Sequence, residues 1–427
     1  MQRSLLLPAP RAKRATVDLP GDKSVSHRVF LLSAIASGTT RISGANDGAD
    51  VRATIQALRA LGVSIEHSGD VFLVHGTERL RAPSRPIDCA NSGTTMRLLA
   101  GLLAGRVSAV LDGDASLRRR PMRRIVEPLR RLGAEVDCSP AGTPPLRVRA
   151  GAPLHGGRVR LALPSAQVES ALMLAALHAS APTSILIRWK LRDHMRRLFR
   201  DFGAHLDVRA RELRIAPGPL RSPGRIRIGG DLSAAVYLLC LGAVVPGSHL
   251  VLRRVGVNPT RTAVLRVLRS MGVDIRVRRR AQAGREPVAD LVVRGGNPLR
   301  GASIPAALVP ELIDEIPALC ALAAAASVKL EIRGASELRY KESDRIATTA
   351  DLLRAFGVRV KVRADGVVVH GGRPLAPPRS VSISGDHRIG MAAAILAAAA
   401  RAPIRILDSA CIETSFPGFA RTWAIAF

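Results

Sequence analysis

The 427-residue sequence is poor in aromatics, in cysteine and in lysine, and each shortage closes off a class of protein. Two tryptophans, two tyrosines and eight phenylalanines offer few rings on which unpaired bases could stack, which weighs against general nucleic-acid binding. The five cysteines (Cys89, Cys138, Cys240, Cys320, Cys411) stand 49 or more residues apart. An odd number with no CxxC pair, and no HExxH motif, argues against a disulfide framework and a structural zinc site. The longest apolar runs, Ile316–Val328 and Met391–Ala400, fall short of the roughly 20 residues that cross a bilayer, so no membrane span is expected. Near the N-terminus Leu5–Leu7 is cut short by Pro8 and Pro10 and then by Arg11, Lys13 and Arg14, which leaves no apolar signal core. The expected location is cytoplasmic.

Basic residues are abundant instead: 64 Lys+Arg against 34 Asp+Glu, a formal charge of +30, with only six of the 64 being lysine. Such an excess suggests an anionic partner. The arginines gather in local runs such as Arg118–Arg120 and Arg278–Arg280 rather than in one stripe, so small anionic substrates are expected in preference to a polyanion. A hydrophobic fraction of 47% and a charged fraction of 23% describe a globular chain long enough for two or three domains.

Five times the chain reads apolar–Arg–x–apolar–Gly, ending at Gly62, Gly133, Gly203, Gly272 and Gly357 with spacings of 71, 70, 69 and 85. Each Gly stands where a helix should end in a left-handed cap. A short alternating segment and then a second apolar stretch follow, predicting two strands around a turn. An earlier helix is expected in every unit, at Val25–Ala36, Thr94–Leu103, Val168–Ala179, Ser233–Leu241 and Ile316–Ala326. The chain therefore reads as repeated β-α-β-α-β-β units. A sixth begins at Val381–Ile383 and Asp386 without reaching a Gly-capped helix, and the strand around Ala15–Leu19 is expected to complete it. Three units over 21–230 would form one domain, and residues 1–20 with 231–427 the other.

Three helix starts have the form of anion sites. Leu19-Pro-Gly-Asp-Lys-Ser-Val-Ser-His-Arg28 places a Gly turn before a helix presenting Lys23, Ser24, His27 and Arg28, where amides, the helix dipole and the cations all favour negative charge. Cys89-Ala-Asn-Ser-Gly-Thr-Thr-Met-Arg97 repeats the form with Gly93 permitting close approach, and Gly385-Asp-His-Arg388 gives a third version. In Leu338-Arg-Tyr-Lys-Glu-Ser-Asp-Arg-Ile346, Glu342 lies between Lys341 and Arg345, a setting suited to proton transfer. Ser165-Ala-Gln167 and Leu312-Ile-Asp-Glu-Ile-Pro317 precede two further helices. Read singly, each motif is also an ordinary capped helix with solvated charges, and Asp314 and Glu315 are also plausible dipole partners. His27, His194 and His387 show no metal-ligand spacing.

Together with Arg120-Pro121 and Ser415–Gly418, these segments resemble the EPSP synthase (3-phosphoshikimate 1-carboxyvinyltransferase) family from end to end, most specifically in Pro-Gly-Asp-Lys-Ser-Val-Ser-His-Arg, Lys-Glu-Ser-Asp-Arg and Asp-His-Arg. The resemblance implies a mixed α/β fold, a two-domain inside-out α/β barrel of six β-α-β-α-β-β units, three per domain, with the active site in the interdomain cleft. It implies transfer of an enolpyruvyl group from phosphoenolpyruvate to the 5-hydroxyl of shikimate 3-phosphate, by a monomer that uses no metal or other cofactor and engages neither nucleic acid nor membrane. It carries catalytic roles to Lys23, Asp314 and Glu342. Lys23, Ser24, Arg28, Ser165, Gln167, Arg192, Asp314 and Lys341 would bind shikimate 3-phosphate, and Lys23, Gly93, Arg120, Gln167, Arg345 and Arg388 phosphoenolpyruvate. The sequence departs from the family at Arg188-Trp-Lys-Leu-Arg-Asp-His194, where Leu191 replaces a usual Ser and Trp189-Lys190 is foreign. Thr414 stands where some members carry a phosphoenolpyruvate-binding Lys.

Three rivals define what must be separated from this reading. UDP-N-acetylglucosamine enolpyruvyl transferases usually carry Asn after the first Lys and a reactive loop Cys, whereas Ser24 follows Lys23 here. A non-catalytic or altered-substrate paralogue that binds a phosphorylated metabolite would fit the altered 188–194 stretch. An RNA-binding protein on a related repeat would show strong salt-dependent retention.

Overall fold

The computed structural model describes residues 4–151, 153–372 and 374–427. Two compact units emerge: a first of Gly21–Ile228 with Ala283–Glu286, and a second of the residues up to Pro20, Gly229–Gln282 and Pro287–Phe427. Each has its own hydrophobic core.

The five motif glycines all lie in the left-handed region, with φ between 76° and 96°. A side chain would be strained there, which is why Gly recurs. They close the helices Ala49–Ala60, Arg123–Arg130, His194–Asp201, Ala263–Ser270 and Arg345–Ala355. Antiparallel strand pairs follow, as in Ser64–Ser68 with Val71–His75, Leu206–Arg209 with Glu212–Ile215, and Arg359–Arg363 with Gly366–His370.

The earlier helices are of another kind. Lys23–Ile35, Gly93–Leu103, Ala166–Ala176, Leu232–Val244, Ile316–Ala325 and His387–Ala399 are buried along almost their whole lengths. Largely apolar on every side beyond the first two turns, they form the cores. The Gly-capped helices bury a single face, such as Ile125, Val126 and Leu129 of Arg123–Arg130. Charged residues enter the core helices mainly in their first two turns, and candidate site residues gather there and just before the Gly-capped helices Arg123–Arg130, His194–Asp201 and Arg345–Ala355.

Where a unit is complete, its sheet pairs the first two strands in parallel and the rest antiparallel. Gly157–Arg160, Thr183–Leu186, Glu212–Ile215 and Leu206–Arg209 lie side by side in that order. Ala302–Ile304, Leu330–Ile332, Gly366–His370 and Arg359–Arg363 repeat it.

One expectation is overturned. The N-terminal strand forms over Arg14–Asp18, but it pairs in parallel with His249–Gly256 and does not complete the last unit. The last sheet recruits Leu5–Leu7, antiparallel to Ile404–Leu407, which itself runs parallel to Ser380–Ser382. Leu7 is buried in the core of that unit. Three residues between a charged end and a proline are too short to display the alternation by which a strand is read. Likewise Arg225–Arg227 returns to pair with Thr39–Ser43 and supplies the first sheet with its leading strand.

Candidate active site

In the first unit three helix starts carry the singled-out residues, each closed by a capping side chain. Asp22 Oδ1 accepts from the Val25 amide at 3.0 Å, Ser92 Oγ from Thr95 at 3.1 Å, and Ser165 Oγ from Val168 at 3.3 Å. A cap satisfies one of the first-turn amides and leaves the dipole of the helix directed at whatever anion arrives.

Lys23 donates from Nζ to Asp50 Oδ2 at 2.7 Å. Arg28, one turn further on, is buried and reaches the third helix start: Nε and Nη2 donate to Ser170 Oγ at 3.2 and 2.9 Å, and Nη2 to the Ala166 carbonyl at 3.5 Å. Its Nη1 donates to the Ser24 carbonyl at 2.9 Å. Burial pulls the Arg28 pKa down to about 10, against the attraction of Asp22 and Glu169, and the charge of nearby Arg192 lowers it further. Arg28, Ser24, Arg192 and the Ser165–Gln167 start thus belong to one neighbourhood. Within the divergent stretch Leu191 is buried and Trp189 packs partly buried against the core.

Gly93 opens the second helix. A Cβ there would lie 2.8 Å from Arg97 Nη1 and 3.2 Å from Arg120 Nη1. The missing side chain therefore leaves two guanidinium groups converging on one small space. Arg120 is anchored by Nη2 to Asn91 Oδ1 at 2.7 Å. Arg97 donates to Gln167 Oε1 at 2.7 Å, and Gln167 Nε2 to Thr94 Oγ1 at 2.8 Å. Arg97 sits in a quoted motif but received no role from the sequence; its position four residues after Gly93, on the same helical face, was the available signal.

In the second unit Asp314 occupies a 3-10 turn, Ile313–Glu315, that leads directly into the helix Ile316–Ala325. Neither acidic residue caps this helix. Asp314 Oδ1 accepts from Lys341 Nζ and Arg345 Nη1, both at 3.4 Å, while its carbonyl accepts from Arg388 Nη1 at 2.8 Å. Arg345 donates from Nη2 to Glu342 Oε2 at 2.5 Å and from Nε to Asp386 Oδ2 at 2.8 Å. Asp386 also accepts from Ser343 Oγ at 2.9 Å and caps the last core helix through the Arg388 amide at 3.0 Å. Although burial opposes its charge, Arg345 is held above its ordinary pKa by Asp386 and Glu342. Burial likewise works against the Asp386 carboxylate, yet Arg345 outweighs it and keeps the pKa low. Arg388 is raised in the same way, burial being exceeded by Asp314, Tyr237 and Glu315. Asp314, Lys341, Glu342, Arg345 and Arg388 are therefore one cluster. Thr414 turns its hydroxyl onto the Cys411 carbonyl at 2.6 Å.

Among the described residues no group of three or more His, Cys, Asp or Glu is placed to hold a metal ion. What the two clusters can do is bind strongly anionic small molecules through fixed cations and helix starts, and move protons at carboxylates set among cations. That defines a class of small-anion-binding proteins with acid–base groups on a repeated α/β frame.

Comparison with known proteins makes the class specific. A family model described as EPSP synthase (3-phosphoshikimate 1-carboxyvinyltransferase) matches residues 9–423. A 3-phosphoshikimate 1-carboxyvinyltransferase of Halorhodospira halophila is 49% identical over 94% of this chain and 91% of its own length. One of Alkalilimnicola ehrlichii is 47% identical over 96% and 92%. The solved EPSP synthase of Acinetobacter baumannii superposes with a TM-score of 0.86 at 38% identity, covering 100% of this chain and 98% of that one. The chain belongs to the EPSP synthase family. The enolpyruvyl transferase NikO from Streptomyces tendae, 18% identical with a TM-score of 0.77 over 100% and 98% of the two chains, shares the fold.

Proposed function

We propose that this chain transfers the enolpyruvyl group of phosphoenolpyruvate to the 5-hydroxyl of shikimate 3-phosphate, releasing phosphate and 5-enolpyruvylshikimate 3-phosphate. The observation that carries this reading is the family match across residues 9–423, within which every motif residue named above lies. Asp314 takes the proton of the 5-hydroxyl as its oxygen bonds to C2 of phosphoenolpyruvate. Glu342 delivers a proton to the methylene carbon, giving a tetrahedral ketal with a methyl group. Elimination reverses the second transfer: Glu342 takes a methyl proton back, the C2–O bond to phosphate breaks as the enol ether forms, and the departing phosphate carries away the proton held on Asp314, restoring its carboxylate. Lys23 lies between the substrates and offsets charge on both.

Binding is divided accordingly. Shikimate 3-phosphate takes Lys23, Ser24, Arg28, Ser165, Gln167, Arg192, Asp314 and Lys341, and phosphoenolpyruvate takes Lys23, Gly93, Arg120, Gln167, Arg345 and Arg388. Both sets serve one reaction, on an inside-out α/β barrel with three repeat units per domain, in a cytoplasmic monomer. Purified protein should release phosphate when both substrates are present and not with either alone. A folded sample that binds shikimate 3-phosphate yet shows no turnover at millimolar substrate would instead support the non-catalytic paralogue.

A further inference from the structure

Glu315, next to the proposed proton acceptor, is 1% exposed, and its carboxylate is not spent on capping the helix that it precedes. It turns to two residues from other elements. Ser233 Oγ donates to Glu315 Oε1 in a short hydrogen bond. Arg261 Nη2 donates to the same Ser233 oxygen at 2.7 Å and lies 3.5 Å from Glu315 Oε1. Both partners are buried as well.

Their own positions are fixed locally. Ser233 stands in the first turn of Leu232–Val244, its amide donating to the capping Asp231 carboxylate at 2.7 Å. Arg261 ends the segment Asn258-Pro259-Thr260-Arg261, where the Asn258 carbonyl accepts the Arg261 amide at 2.8 Å and Asn258 Oδ1 accepts the Thr260 amide at 2.9 Å. A turn closed at both levels thus aims the guanidinium inward.

A buried ion pair with a hydroxyl between its members is a costly way to hold a helix start, since packed apolar side chains of similar volume would serve stability as well. What apolar side chains cannot do is fix a polar turn in one orientation. The turn in question carries Asp314. Its carbonyl is gripped on one side by Arg388 at 2.8 Å, and the next residue is gripped on the other by Ser233 and Arg261. The Asp314 carboxylate accepts from Lys341 and Arg345 at 3.4 Å, and the direction in which it leaves the chain is set by the backbone turn that carries it.

We propose that Glu315, Ser233 and Arg261 are positioning residues for the enolpyruvyl transfer, clamping the backbone behind Asp314 so that its carboxylate is presented to the 5-hydroxyl of the acceptor. The inference rests on the function proposed above. It adds three residues to which the family resemblance gave no part.

The test is a split between kcat and KM. Glu315→Gln keeps size and removes the charge that Arg261 faces, and kcat per titrated shikimate 3-phosphate site should fall about 10- to 100-fold. Both KM values and the calorimetric affinity for shikimate 3-phosphate should stay within about threefold. Ser233→Ala, a smaller change that covers the case in which Glu315→Gln does not fold, should lower kcat with the same split. Ser233→Thr, which keeps the hydroxyl, should restore most of it. A purely structural role would reduce the number of binding sites and leave kcat per site unchanged, which would overturn the proposal. So would a loss confined to KM. Wild-type protein that binds shikimate 3-phosphate without turnover would count against the proposed function itself, before any variant is compared.

Discussion

Buried arginines at the two sites end with opposite shifts: burial lowers both, and only in the second unit do carboxylate partners outweigh it. In the first, Arg28, Arg97 and Arg120 rest on neutral oxygens of Ser170, Gln167 and Asn91, and burial brings Arg28 down to about 10. In the second, Arg345 is ringed by Asp314, Glu342 and Asp386, and the same burial is outweighed so that its proton is held more tightly. Guanidinium groups held by neutral partners keep a positive potential that an incoming phosphate or carboxylate completes. Guanidinium groups locked by carboxylates have spent much of theirs and act as rigid frames for the ionisable groups around them. On the function proposed above, the first cluster offers the less neutralised cations for anion capture, while in the second the cations also frame the carboxylates that would move protons.

The sharpest way to break that division is Glu342→Gln. It retains shape, and kcat should fall on the order of 100-fold or more while calorimetry still detects shikimate 3-phosphate binding. Turnover at the wild-type rate would remove Glu342 from the chemistry. Arg120→Ala should act on affinity instead: losing a charged donor of about 1.5–3 kcal/mol raises the phosphoenolpyruvate KM by about 10- to 100-fold. Were kcat to drop with KM unmoved, the capture role would belong elsewhere.

Gly93→Ala probes the space between Arg97 and Arg120. Glyphosate should compete with phosphoenolpyruvate in wild type. The added methyl should cost about 1–3 kcal/mol of inhibitor binding, and less for the substrate, because overpacking penalises the bulkier occupant. Equal inhibition curves and an unchanged phosphoenolpyruvate KM would place Gly93 outside the site.

The smallest effect separates the units by pH. Burial, with Lys23 and Arg28 adding to it against Asp22, holds His27 well below its ordinary value, and burial together with Arg106 lowers His178 to about 3. An unfolded chain takes up these protons near pH 6.5. First-unit stability is therefore complete above about pH 6.5 and declines below it, by up to about 1.4 kcal/mol per pH unit for each histidine, until the folded groups protonate. Asp386, lowered in the folded state, contributes above about pH 4 and loses its contribution only below that. Urea unfolding followed by Trp189 fluorescence in Trp423→Phe, and by Trp423 in Trp189→Phe, should show the first unit weakening between pH 6.5 and 5 ahead of the second. Parallel decline would refute the contrast.

What the sequence disclosed follows from the range of the forces involved. The five caps were legible because a left-handed residue selects Gly locally, and the core helices because they are largely apolar beyond a polar start. Lys23, Glu342 and Arg345 stood out as charge at helix starts. Asp50 beneath Lys23, Arg97 beside Gly93 and the Glu315–Ser233–Arg261 cluster did not, because their partners are set by tertiary packing across 27, 70 and 82 residues. Leu5–Leu7 escaped for a related reason: a three-residue strand is defined by its neighbour, 401 residues away, rather than by its own pattern.

The exchange of leading strands has a temporal side. Arg14–Asp18 pairs with His249–Gly256, and Leu5–Leu7 with Ile404–Leu407, so each of these strands is made long before the partner its ladder needs. The first unit waits less, since Arg225–Arg227 seals its opening sheet as soon as that stretch appears. Contacts of such long sequence separation form late and slowly. Until those partners are made, Leu5–Leu7 and Arg14–Asp18 are unpaired strands in search of an edge, and a substitution in them weighs on a late step of assembly rather than on the chemistry.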